Sequence, residues 1–202
     1  MDVTADRPSP RAARGRLRGA WTAAHTPVDG VPRWARIAAY AVPLTVLPSS
    51  VGRIAVVFLD EASAAKAGDA RLWLPIKAYV VVLSVLSELL AFTAVGLVAA
   101  WGEVVPRRVP LLRGRRVPAP AVAIPAALGA VALTVLWTAA AVGVIAGVTL
   151  TGDPLPPDFP SAAGGWEAAV FSLAYAPLLL WGPLLGAATV AYWARRRGGA
   201  RR

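Results

Sequence analysis

Three ionisable residues, Arg53, Lys77 and Glu88, lie inside long apolar runs of this sequence. A charge at the centre of a membrane-spanning helix costs at least about 2.5–3.5 kcal/mol, so such groups face protein or water and often mark proton, ion or substrate paths. Arg53 precedes Leu59 by six residues, placing it about 9 Å from that end of its run. Lys77 lies at a similar depth near the start of the second run, and both side chains are long enough to extend outward. Glu88 sits mid-run and is too short to reach either interface. The spacing of Lys77, Ser84 and Glu88 places them on one helical face, with Ser87 beside them. Two roles follow for this polar stripe. Glu88 is a proton or cation site with Arg53 or Lys77 as counter-charge, or it is a paired acid that fixes the register of the first two helices.

Prolines and glycines supply the other candidates. Pro43 and Pro48 in the first run, followed by Ser49, Ser50 and Gly52, and Pro177 and Pro183 in the last, predict kinks. A proline inside a helix frees a carbonyl, which can coordinate an ion where it lines a cavity or simply be satisfied by a neighbouring hydroxyl. Gly143 and Gly147 in the third run, and Gly182 and Gly186 in the fourth, have GxxxG spacing. That spacing puts two glycines on one face and lets helix backbones approach, either within one chain or between two copies.

The residues needed for most catalysis are missing. The chain has no cysteine and its single histidine, His25, lies outside the apolar runs, so haem, thiol and Cys/His metal chemistry have no ligands there. A serine hydrolase needs a base near its serine, and His25 lies on the N-terminal arm; no GxxxxGK phosphate loop occurs. Neither enzymatic activity nor a cofactor is expected.

These residues are carried on segments built for a bilayer. Of 202 residues, 57% are hydrophobic, and the mean hydropathy is +0.58. A spanning helix needs about 20 predominantly apolar residues, and four stretches meet that length, at about 37–59, 72–101, 121–150 and 166–193. The predicted fold is an all-α membrane protein, its four transmembrane helices forming two hairpins.

A net charge of +10 raises the question of nucleic acid, which the placement of the arginines answers. Arg7, Arg11, Arg14, Arg16, Arg18, Arg33 and Arg36 precede the first run. Arg107, Arg108, Arg113, Arg115 and Arg116 fill the middle connector, and Arg195, Arg196, Arg197, Arg201 and Arg202 follow the fourth run. The other two connectors hold only Lys66 and Arg71, beside Asp60, Glu61, Asp69, Asp153 and Asp158. This alternation puts both termini and the middle connector in the cytoplasm, with no role for nucleic acid. Trp34, Trp101, Tyr192 and Trp193 at the inner ends, and Phe58, Trp73 and Trp166 at the outer ends, fit the aromatic belts of the two interfaces.

Residues 1–33 read as a basic, mostly disordered cytoplasmic arm without the apolar core of a cleavable signal peptide. Residues 34–194 read as one transmembrane domain, and 195–202 as a basic tail. The proline-rich segment 151–165 is expected to be extended and stiff. The expected surroundings are the bilayer, with anionic inner-leaflet lipids against the arginines, and a second copy or another membrane protein against the helices.

The runs YAVPLTVLPSSVGRIA, LSELLAFTAVGLVAAWGEVVPRRVPLL and YAPLLLWGPLLGAATVAYWARRR resemble uncharacterised four-helix integral membrane proteins of Streptomyces-type actinobacteria. The resemblance covers residues 34–197 and implies a multi-pass topology in the cell membrane, with no activity and no functional residues attached. The function expected from the sequence is therefore a packing or partner-binding membrane component, with a small transporter or channel built on Glu88 as the alternative.

Overall fold

In a computed structural model, residues 28, 30–59, 75–99, 118–157 and 159–199 are described. Four stretches of helix are long and apolar enough to cross a membrane. The first is α1 (Arg33–Leu59). The second is α2 (Ile76–Thr93), extended by a 3-10 turn at Ala94–Leu97. The third is α3 (Ala119–Ala146). After the short α4 (Pro160–Ala163), the fourth span runs through α5 (Gly165–Tyr175), a 3-10 turn at Ala176–Leu180, and α6 (Trp181–Gly199).

The helices pack in the lateral order α2, α1, α6, α3, with α1 and α6 central and α2 and α3 on the flanks. Each flanking helix therefore lies against its hairpin partner in sequence. Leu, Ile and Val side chains such as Ile37, Leu44, Leu128, Val131, Ile145 and Leu173 remain exposed around the outside. In water that surface would oppose folding; in hydrocarbon it is the solvated face, and the bundle is held by close packing instead. Ala39, Leu97, Val98, Ala123, Ala188 and Tyr192 form one core at the end carrying Arg33 and Gly199. Val42, Val46, Ala91, Ala94, Leu178 and Trp181 form a second core deeper in the span. Ala39, Ala123 and Ala188 in the first and Ala91 and Ala94 in the second are small enough to let helix axes approach.

Several expectations need correction. Tyr192 is only 1% exposed and belongs to the core, not to an interfacial aromatic belt. Arg195, Arg196 and Arg197 are not a separate tail but the last turns of α6, where cations complement the carbonyl end of the helix. Arg195 and Arg196 lie against the Tyr192 ring and Arg197 against Trp193. Trp73, Trp101, Arg7, Arg11, Arg14, Arg16, Arg18 and the arginines of the middle connector lie outside the described residues, whereas Arg33 opens α1.

The third span ends at Ala146 rather than Leu150, because Gly147 adopts a left-handed conformation at φ 72°. Val148 then donates its N–H to the Gly143 carbonyl at 2.9 Å, closing a glycine-ended helix cap. Gly143 and Gly147 thus cap the helix and do not pack it against the fourth span. A Cβ on Gly143 would meet its own loop, the Val148 carbonyl at 2.9 Å, and one on Gly147 would meet nothing within 4 Å. The chain that follows doubles back instead of running extended. Val148 bridges to Pro154, and Thr149, Thr151 and Asp153 share hydroxyl and carboxylate hydrogen bonds.

Gly182 and Gly186 have the same spacing and a different role. A Cβ on Gly182 would press on the Thr134 hydroxyl, and would lie 2.6 Å from both the Ala130 carbonyl oxygen and the Thr134 nitrogen of α3. Gly186 faces the Ala130 methyl at an ordinary 3.7 Å. These two glycines set the approach of α6 to α3.

The helix α1 runs continuously through Pro43 and Pro48. Thr45 and Ser49 donate to the Val42 and Val46 carbonyls, three residues back, and not to the Ala39 and Leu44 carbonyls that the prolines free. In the fourth span the backbone tightens into a 3-10 turn at Pro177, and Pro183 lies in the first turn of α6, where an N–H has no intrahelical acceptor.

Candidate functional site

The polar site is assembled where α2 lies along α1. Antiparallel packing brings residues 84–92 of α2 beside residues 43–54 of α1, and the two helices enclose a groove of about 460 Å3. Its walls are Pro43, Leu47, Ser50, Val51 and Ile54 from α1 and Ser84, Val85, Glu88, Leu89 and Phe92 from α2. The two serines lie deep, Ser84 at 1% exposed and Ser50 buried, and Glu88 is half-buried. The rim is apolar and turned outward, with Leu47 48% and Leu89 59% exposed. Such a groove opens sideways onto the exposed apolar surface of the bundle. It is neither a closed core around a paired acid nor a polar-lined shaft through it.

Arg53 donates from Nη2 to Ser50 Oγ at 3.4 Å, one helical turn away on α1. Ser50 of α1 and Glu88 of α2 both line the groove, and the opposite charge acting on Glu88 is that of Arg53. Ser50 therefore ties the Arg53 guanidinium to the groove that Glu88 lines. Hydrogen-bonding capacity is left over: Glu88 Oε1, Ser84 Oγ and Arg53 Nε are buried with no partner. Buried polar atoms are normally satisfied, so three orphans in one place call for an account.

The neighbouring hydroxyls sharpen the contrast. Thr45, Ser49, Ser87, Thr134 and Thr189 each donate to a carbonyl of their own helix, three or four residues back. Ser84 has the same option within its helix and does not take it.

Of the sequence candidates, Glu88, Ser84 and Arg53 come together, whereas Lys77 and Ser87 stay apart from them. Lys77 is exposed, with its ammonium 5.4 Å from the Phe58 ring centre at the far end of the hairpin. Ser87 is occupied by the Leu83 carbonyl at 2.8 Å and does not line the groove. Lys77 is therefore not the counter-charge of Glu88. Pro43 lines the groove, but Pro48, Pro177 and Pro183 do not. Ser50, which holds Arg53 at the groove, stands out in the sequence only as one of the serines that follow Pro48.

No family model, curated protein or solved structure matches the chain.

The chemistry of the site thus rests on its own geometry. Among the described residues, no three His, Cys, Asp or Glu side chains gather to hold a metal ion. What remains is an apolar trough with a hydrogen-bonding floor and a balanced pair of charges, suited to binding an amphiphilic group from the side.

Proposed function

We propose that this chain is a multi-pass cell-membrane component that works by binding a partner within the plane of the bilayer, at the groove between α1 and α2. The observation carrying this reading is the combination of buried, unpartnered Ser84 and Glu88 atoms with an exposed apolar rim on one groove. A floor that needs hydrogen bonds beneath walls that need hydrocarbon favours an occupant arriving from the membrane. The alternative, proton or cation transport through Glu88, draws its support from the same orphaned carboxylate oxygen but requires water to reach it.

The absence of cysteine makes the distinguishing experiment clean, since any introduced thiol is unique. A nitroxide on Val85→Cys in liposomes is expected to collide frequently with dissolved oxygen and rarely with a water-soluble nickel chelate. Collision dominated by the nickel chelate would remove the lateral-binding reading and favour an aqueous path.

The same proposal places both termini in the cytoplasm, with the arginines of the arm and middle connector against anionic inner-leaflet lipids. It takes the chain as one of the actinobacterial four-helix membrane proteins its sequence runs resemble. Alkaline phosphatase fused after Arg202 is expected to be inactive and a fluorescent protein at the same point bright. Active phosphatase would reverse the orientation.

A further inference from the structure

Resting on the lateral-binding reading, we propose that the α1/α2 groove is a binding site for a lipid-soluble alcohol, whose hydroxyl donates to Glu88 Oε1 and accepts from Ser84 Oγ. Its apolar chain would lie along Leu47, Val51, Val85 and Leu89.

The orphaned atoms define the head group. Glu88 Oε1 needs a donor, and the Ser84 hydroxyl needs an acceptor, a donor or both. One hydroxyl satisfies both at once. Ser84 is the stronger evidence of a built site. At 1% exposure, it forgoes the carbonyl of its own helix that the hydroxyls of Ser49, Ser87 and Thr189 all use. An ordinary packing serine satisfies itself in that way at no cost to its neighbours.

Charge selects among head groups. Arg53, held on Ser50, and Glu88 already bring one basic and one acidic group to the groove, so the site is balanced before any ligand arrives. An ammonium would leave a surplus positive charge in hydrocarbon, and a carboxylate or phosphate would face Glu88 directly; either carries the cost of an uncompensated intramembrane charge. A neutral hydroxyl adds none.

Depth selects among lipids. Glu88 lies about 18 Å along the span from Ile76 and about 14 Å from Leu97, close to the middle of a hydrocarbon layer about 30 Å thick. A phospholipid head does not descend that far, whereas a neutral alcohol does. The groove has room for it. The stretch from Pro43 to Ile54 is about 16 Å long, and the volume of about 460 Å3 lies within the ~300–1,000 Å3 of small-molecule clefts.

The experiment uses the full chain in phospholipid nanodiscs with hexadecanol carrying a diazirine on its alkyl chain, followed by mass-spectrometric mapping of the photolabel. Unlabelled hexadecanol, hexadecylamine, palmitate and hexadecane then compete, so that the chain is constant and only the head differs. Label is expected on 43–54 and 84–92, displaced by hexadecanol at concentrations about tenfold lower than by the other three. Ser84→Ala is expected to lower labelling about tenfold, whereas Ser87→Ala, which removes a hydroxyl outside the groove, leaves it unchanged.

Equal competition by hexadecane or by hexadecylamine would overturn the proposal, as would undiminished labelling of Ser84→Ala or equal label on the exposed face of α3. An intermolecular disulfide through Val85→Cys that excludes the alcohol would make the occupant a second copy and also overturn it. If hexadecanol fails while the Val85 nitroxide remains open to oxygen and closed to nickel, the lateral-binding reading stands and only the ligand class falls.

Discussion

Gly182→Ala is expected to destabilise the bundle by about 3 kcal/mol, the upper end of ordinary overpacking. The added methyl would lie 2.6 Å from the Ala130 carbonyl oxygen and from the Thr134 backbone nitrogen, and against the Thr134 hydroxyl as well. That hydroxyl is itself bound to the Ala130 carbonyl at 2.7 Å, so it cannot swing away without losing its acceptor. Two of the obstructing atoms are backbone, and only separation of α6 from α3 relieves them. Since α6 is the one helix against which α3 extensively packs, the whole hairpin loosens. Gly186→Ala is the internal control. Its methyl meets the Ala130 methyl at 3.7 Å, ordinary contact, and its effect is expected to stay within about 0.5 kcal/mol. Equilibrium unfolding in mixed micelles measures both, and indistinguishable midpoints for the two variants would refute the close approach.

A double-mutant cycle on Arg53 and Glu88 is expected to show the second large effect. Arg53→Met leaves the Glu88 side chain on the groove without its opposing charge, at a cost of about 3 kcal/mol. Glu88→Leu leaves the guanidinium with Ser50 alone. Removing both groups removes the reason for either penalty, and the double variant is expected to recover about 2 kcal/mol relative to the sum of the singles. Additive losses in the unfolding equilibrium would mean that the two charges do not act on each other.

Together the two experiments probe different seams of one architecture. The α3/α6 seam is held by small residues and tolerates no added atom at Gly182. The α1/α2 seam is left open along one side and holds polar atoms beneath the opening. A protein selected only for tight packing has no use for that second arrangement, and replacing Ser84 by alanine removes a hydroxyl that no neighbour uses.

Identical motifs diverged between these seams. The spacing of Gly143 to Gly147 is the same as that of Gly182 to Gly186. One pair ends a helix through a left-handed glycine and the other admits a neighbouring backbone, because the first falls where the chain must turn and the second where two helices cross. Sequence spacing records only that two glycines share a helical face. Likewise Lys77, Ser84 and Glu88 share a face of α2, yet the counter-charge comes from Arg53 on another helix.

The four apolar helices, their approximate limits and the mid-span position of Glu88 were legible residue by residue, because a bilayer imposes a one-dimensional requirement on each segment: enough apolar residues in a row with every backbone group satisfied internally. Which helix faces which came from packing. The rotation and axial offset of α1 against α2 brought Ser50 and Glu88 to one groove, left Ser84 unpartnered and turned an apolar rim outward, and those two variables belong to neither helix alone.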